Sequence, residues 1–188
     1  MTHDEIQHYL HKYFEIDEPA TVSIDRGVVN VTGSVSCKLY INRIPVPFGS
    51  VKGSFDCSEN VLVTLENSPR IVRGDYNIKD NSITNLKGAP QQIYGHFTLD
   101  YNYQLTSLQG LPKLITGSIV MDYIKNLPLL PLLLVKELRA VNFVYGNSWT
   151  NDDLSDILNR YLGTGTQGML PCADEMIEAG YGSNAHYD

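Results

Sequence analysis

The sequence predicts an α+β solenoid, a stack of short parallel β-strands with a period of about 21 residues and a capping helix at each end. Two observations carry this. A phrase returns along the middle of the chain as Val51-Lys-Gly-Ser-Phe-Asp-Cys-Ser-Glu-Asn60, Val72-Arg-Gly-Asp-Tyr-Asn-Ile-Lys-Asp-Asn81 and Ile93-Tyr-Gly-His-Phe-Thr-Leu-Asp-Tyr-Asn102. Its glycines, Gly33, Gly53, Gly74, Gly95 and Gly117, stand 20, 21, 21 and 22 residues apart, and a fixed period of that length is the signature of a solenoid.

Within each copy, apolar residues follow the glycine at the second and fourth positions: Val35 and Cys37, Phe55 and Cys57, Tyr76 and Ile78, Phe97 and Leu99, Ile119 and Met121. Alternation of this kind is the period of a strand with one face buried, so each copy is expected to supply one very short strand. Asparagine then recurs at Asn60, Asn81 and Asn102, where an amide can both accept from and donate to the turning backbone. These three residues are expected to form a ladder. Leucine-like residues follow (Leu62 and Leu65, Ile83 and Leu86, Leu105 and Leu108), and Pro69, Pro90 and Pro112 close the copies on segments that make no ladder bonds.

The flanks read as caps. Thr2 and Glu5 have capping-box spacing, and Ile6, Tyr9, Leu10, Tyr13 and Phe14 form one stripe of a helix expected to end near Asp17 to Pro19. Val22 to Val31 alternates around Asp25-Arg-Gly27 as a hairpin or edge strand would. Toward the other end, Ser148 to Asn151 lie before Asp152 and Asp153 as a helix cap, Leu154, Ile157, Leu158, Tyr161 and Leu162 line one helical face, and Gly163 stops it. A second, short helix is expected from Pro171 to Gly180, followed by a loose tail. The chain thus divides, within one domain, into a capping helix (1–19), the solenoid (20–141) and a helical cap with its tail (142–188).

Charge narrows the function. Of the net charge of −7, −6 falls from Asn142 onward, where seven acids face Arg160 alone, and phosphate backbones would be repelled there. Nucleic acid is therefore not an expected partner. The longest apolar run, Leu127 to Val135, contains two prolines and is too short for a bilayer, and the first stretch is polar and carries Asp4 and Glu5, so neither a membrane nor secretion is expected and the protein is placed in the cytoplasm. Cys37 and Cys57, at the same inward position of adjacent copies, are expected to stack as free thiols, and Cys172 to be the exposed one.

Catalytic chemistry finds little purchase in the sequence. Gly163 to Gly168 lacks the Gly-Lys-Ser/Thr ending of a phosphate loop. His96-Phe-Thr98 matches one half of a paired His-x-Thr phosphoesterase site, with no second copy. His8 and His11, with Glu5, lack a fourth metal ligand, so no metal, no cofactor and no catalytic set is predicted. What remains is the exposed side of the sheet. Asp56, Asp75, Asn77, His96, Thr98, Asp100 and Asp122 are expected on its concave face, with the four aspartates forming an acidic track suited to a basic protein.

The whole pattern, apolar-x-apolar-x-x-Asn-x-Leu-x-x-Leu with a trailing proline, resembles the leucine-rich repeat in its short bacterial form. It resembles still more closely a group of small bacteriophage proteins, through Phe55-Asp-Cys-Ser-Glu-Asn60, Leu105-Thr-Ser-Leu108 and Leu86-Lys-Gly-Ala-Pro90, over about residues 22 to 141. That resemblance implies a non-catalytic inhibitor or adaptor acting on a host defence or regulatory protein in the infected bacterium. Two alternatives stand beside it: a sponge for a nucleotide-type messenger, and a hydrolase or transferase using His96. A poorly covered solenoid end would also permit a homo-oligomer.

Overall fold

A computed structural model describes residues 1–38, 40–145, 148–149 and 153–187. The solenoid is there, with short parallel strands stacked copy upon copy and helices at the ends. Helix α1 (His3–Tyr13) leads into strands β1 (Phe14–Ile16), β2 (Val22–Asp25), β3 (Val28–Val31) and β4 (Val35–Cys37). The repeats continue through β5 (Phe48–Val51), β6 (Phe55–Asp56), β7 (Ile71–Val72), β8 (Tyr76–Asn77), β9 (Gln92–Ile93), β10 (Phe97–Thr98), β11 (Leu114–Ile115) and β12 (Ser118–Asp122). Strands β13 (Ala140–Tyr145) and β14 (Ser148–Trp149) and helices α2 (Asp153–Tyr161) and α3 (Met169–Glu178) complete the chain.

Each inner copy supplies two short strands rather than the one expected. An eight-stranded sheet runs in the order β1-β4-β6-β8-β10-β12-β13-β14, and a six-stranded sheet in the order β11-β9-β7-β5-β3-β2. The chain turns from the second sheet into the first at a recurring Val/Ile-x-Gly, as from Val72 through Gly74 to Tyr76. Val51, Val72, Ile93 and Ile115, two residues before each glycine, are buried and make the second sheet's inward file.

Between the sheets runs a continuous apolar core. Phe55, Tyr76 and Phe97 stack at ring separations of 6.0 and 5.4 Å, and Phe14 and Phe48 extend the file toward α1. Tyr76 is fully buried, its hydroxyl 2.8 Å from Ser68 Oγ, and burial pushes its phenol far above the ordinary range. Tyr76→Phe is expected to cost about 1 kcal/mol in chemical denaturation, because it leaves the buried Ser68 hydroxyl without this partner.

The asparagine ladder forms as the sequence predicts. Asn81 Oδ1 accepts from Leu62 N at 2.8 Å, while its Nδ2 donates to Cys57 O at 2.9 Å and Ile78 O at 3.0 Å. Asn102 repeats the pattern with Ile83 N, Ile78 O and Leu99 O, and Asn60 begins it by accepting from Ile41 N. The residues just before them, Glu59, Asp80 and Tyr101, all take the left-handed backbone (φ 54, 53 and 60°), which turns the chain so that each amide faces inward.

The caps differ in detail from expectation. The Thr2–Glu5 capping box is present, but α1 stops at Tyr13, and β1 pairs antiparallel with β4, so the register of the first copy is fixed by sheet pairing beyond the helix. The Asp25-Arg-Gly27 hairpin joins β2 to β3 through left-handed Arg26 and Gly27. Asn151 and Asp152 of the expected α2 cap lie outside the described residues; Ser148 belongs to β14. The expected loose tail is instead docked: Asn184 is fully buried and donates to Ile124 O and Leu127 O, both at 2.9 Å. No helix among the described residues is long and apolar enough to cross a membrane.

Cysteine chemistry is also corrected. Cys37 and Cys57 are joined by a disulfide, since in-register stacking brings their Cα atoms to 5.0 Å, inside the range that a bridge spans. Cys172 is buried rather than exposed, and burial, helped by Glu175, pushes its thiol up to about 11. Thiol labelling is therefore expected to reach none of the cysteines in the folded protein, Cys172 alone after denaturation, and all three only after reduction.

Candidate functional site

The outer face of the eight-stranded sheet is built from residues in strict register. Ser36, Asp56, Asn77, Thr98, Val120 and Asn142 pair across successive strands and form one file over the apolar file beneath. A depression of about 440 Å³ runs along Asp56, Asn77, Thr98, Val120 and Asn142, and Asp75 and His96 also line it. Asp56 is half-buried, with Oδ1 accepting from Ser58 N and Oγ and Oδ2 accepting from Asn77 Nδ2 at 3.0 Å. Asn77 Oδ1 in turn accepts from Lys79 N at 3.1 Å. Thr98, at the middle of the depression, is half-buried.

A second file, one position beyond each glycine, performs a task that sequence reasoning missed. Ser34 Oγ accepts from Ser54 N, Ser54 Oγ from Asp75 N, Asp75 Oδ1 from His96 N, and His96 Nδ1 from Ser118 N, at 3.2, 3.0, 2.7 and 3.1 Å. Each side chain thus holds the corner of the following copy. The signal was in the sequence: every one of these positions carries a hydrogen-bond acceptor. Asp75 and His96 are exposed, yet both are committed to this corner ladder, and His96 must carry its ring proton on Nε2 to accept at Nδ1.

The acidic track is not uniform. Asp56 and Asp75 reach solvent, whereas Asp100 and Asp122, outward by strand alternation, are buried to 2% and 7% exposure. Lys79 Nζ lies 3.0 Å from Asp100 Oδ2 and 4.7 Å from the centre of the Tyr101 ring, and the Asp100 carboxylate holds the ammonium above its ordinary value. Asp122 Oδ2 accepts a hydrogen bond from Tyr101 N. Burial, partly offset by that bond, raises the Asp122 carboxyl above the usual aspartate range, and the charge of Asp100 adds to the rise. The two acids nearest the C-terminal cap are therefore enclosed by the chain's own groups.

Elsewhere, Gly165–Gly168 of the glycine-threonine loop forms a 3-10 turn ahead of α3. Among the described residues no three His, Cys, Asp or Glu side chains gather as metal ligands would. No protein-family model, curated protein or solved structure matches the chain.

Proposed function

We propose that this protein is a non-catalytic, protein-binding solenoid of a bacteriophage, which takes a basic protein of the host on the outer face of the eight-stranded sheet and inhibits or modulates it during infection. The observation that carries this reading is the contrast between the two sides of the same strands. Inward positions repeat one chemistry, whereas the file Asp56, Asn77, Thr98, Val120 and Asn142 changes chemistry from each strand to the next along one depression. Packing explains the first set, and recognition would use the second. The acidic groups that reach solvent there, Asp56 and Asp75, favour a cationic partner. The commitment of His96 Nδ1 to Ser118 N fits a structural histidine better than a catalytic one.

Thr98→Arg provides the test, because it sets a long cation in the middle of the depression while sparing both ladders. Immobilised wild-type protein should retain a basic host protein from a lysate of infected bacteria. Retention should fall at least about tenfold with the variant, as for a central interface position. Equal retention by the two proteins, with the variant still folded by circular dichroism, would move the binding surface elsewhere.

A further inference from the structure

Asp100 has two carboxylate oxygens and only one is used. Oδ2 faces Lys79 Nζ, whereas Oδ1 is sealed from solvent without a hydrogen-bond partner. Leaving an ionised oxygen in that state is costly, and native structures pair such groups. The neighbouring acid is Asp122. Thr98 and Val120 are in register on parallel strands and Leu99 N donates to Val120 O, so Asp100 and Asp122, two residues further on, stand side by side on the same face. Parallel strands lie about 4.8 Å apart, which brings carboxyl groups on adjacent strands within reach of one another.

We infer that Asp100 and Asp122 share one proton in the folded protein, carried on Asp122 and donated to Asp100 Oδ1, which makes this end of the sheet a pH-sensitive device. The arrangement completes every bond in the cluster. Asp122 Oδ2 accepts from Tyr101 N, its other oxygen donates to Asp100 Oδ1, and Asp100 Oδ2 accepts from Lys79. It also balances charge, with one ammonium against one carboxylate in the enclosed part. The other ionisable groups around the pair are Glu59, near Lys79, and Asp80, Tyr101 and Tyr103. None of them is a cation, so Lys79 alone cannot neutralise two ionised aspartates. Val144, the strand neighbour of Asp122 on β13, is apolar.

The sign of the linkage follows. Asp122 holds its proton more tightly in the folded chain than in the unfolded one, so its contribution to stability is present at acid pH and is lost as the pH rises through its folded-state titration. Losing the proton would set two negative charges side by side and leave Asp100 Oδ1 without its donor. The inference does not depend on whether the face takes a partner.

Carbon-13 NMR of the full chain with labelled aspartate carboxyls tests it directly. The Asp122 resonance should remain at its protonated position at pH values where an ordinary aspartate has ionised, and the Asp100 resonance should shift in the same step, as coupled groups do. An Asp122 resonance already at the ionised position there would overturn the inference. Asp122→Asn supplies a permanent donor for Asp100 Oδ1 and keeps the acceptor for Tyr101 N. Its melting temperature should lack the decline that the wild type is expected to show as the pH rises through the folded-state titration of Asp122, and an unchanged decline would equally count against the shared proton.

Discussion

Asn81→Leu is expected to lower the unfolding free energy by about 2 kcal/mol, read as a fall in the denaturant midpoint at unchanged slope. The substitution puts an apolar side chain in a buried place, so the loss is one of polar satisfaction. Leu62 N, Cys57 O and Ile78 O each lose their bond to the amide inside the stack, where water does not replace it. An unsatisfied buried backbone group costs about 1–3 kcal/mol, and Leu62 N becomes one, whereas Ile78 O and Cys57 O keep their second donors, Asn102 Nδ2 and Asn60 Nδ2. Asn60→Leu is the internal comparison. Asn60 is half-buried and its Nδ2 bonds stay within its own copy, at Ser58 O and Cys57 O, so the penalty there should be smaller. Equal penalties at the two positions would mean that the ladder contributes no more in the middle of the stack than at its start.

Gly95→Ala is expected to cost about 3 kcal/mol, as overpacking of a tight backbone contact does. A methyl group built on Gly95 would lie 2.3 Å from Asp75 Oδ1 and 2.7 Å from the carbonyl carbon and oxygen of Gly74. Neither neighbour can yield cheaply. Asp75 Oδ1 is held by His96 N, and Gly74 is backbone pinned to the preceding copy by its N–H, which donates to Gly53 O at 3.0 Å. The requirement for glycine here is therefore one of space. Gly27 in the β2–β3 hairpin shows the opposite case: φ is +81° and nothing lies within 4 Å of the added methyl, so Gly27→Ala should cost only the left-handed penalty of about 1 kcal/mol. A melting experiment that ranked Gly27→Ala above Gly95→Ala would contradict the crowded corner.

Much of the fold was legible because solenoid copies repeat the same physical demands. Tyr76, Ile78, Asn81, Ile83 and Leu86 each meet a counterpart one period away, so their inward placement could be read from recurrence alone. The second sheet was harder to see, although Val51, Val72 and Ile93 open every copy of the phrase, because two-residue strands show no alternation of their own. The docking of Asn184 left no periodic trace, since it joins segments 57 to 60 residues apart. On the candidate face, alternation correctly placed Asp56, Asn77 and Thr98 outward. It could not tell that Asp100 and Asp122 would be enclosed, because that depends on Lys79 and the Tyr101 turn folding over them. Nor does a pattern of residue types distinguish an acceptor available to a partner from one, such as Asp75 Oδ1, already bound to the next corner.

The corner ladder has a consequence for how long this rod can be. Each glycine and its acceptor bond only to the adjacent copy, so no contact in the file spans more than one period. Duplicating the block from Gly74 to Tyr94 would present the same donors and acceptors at both new junctions, leave the terminal helices seated as they are, and extend the exposed file by about 4.8 Å. Gripping surface could thus be gained or shed one unit at a time, without redesigning either end.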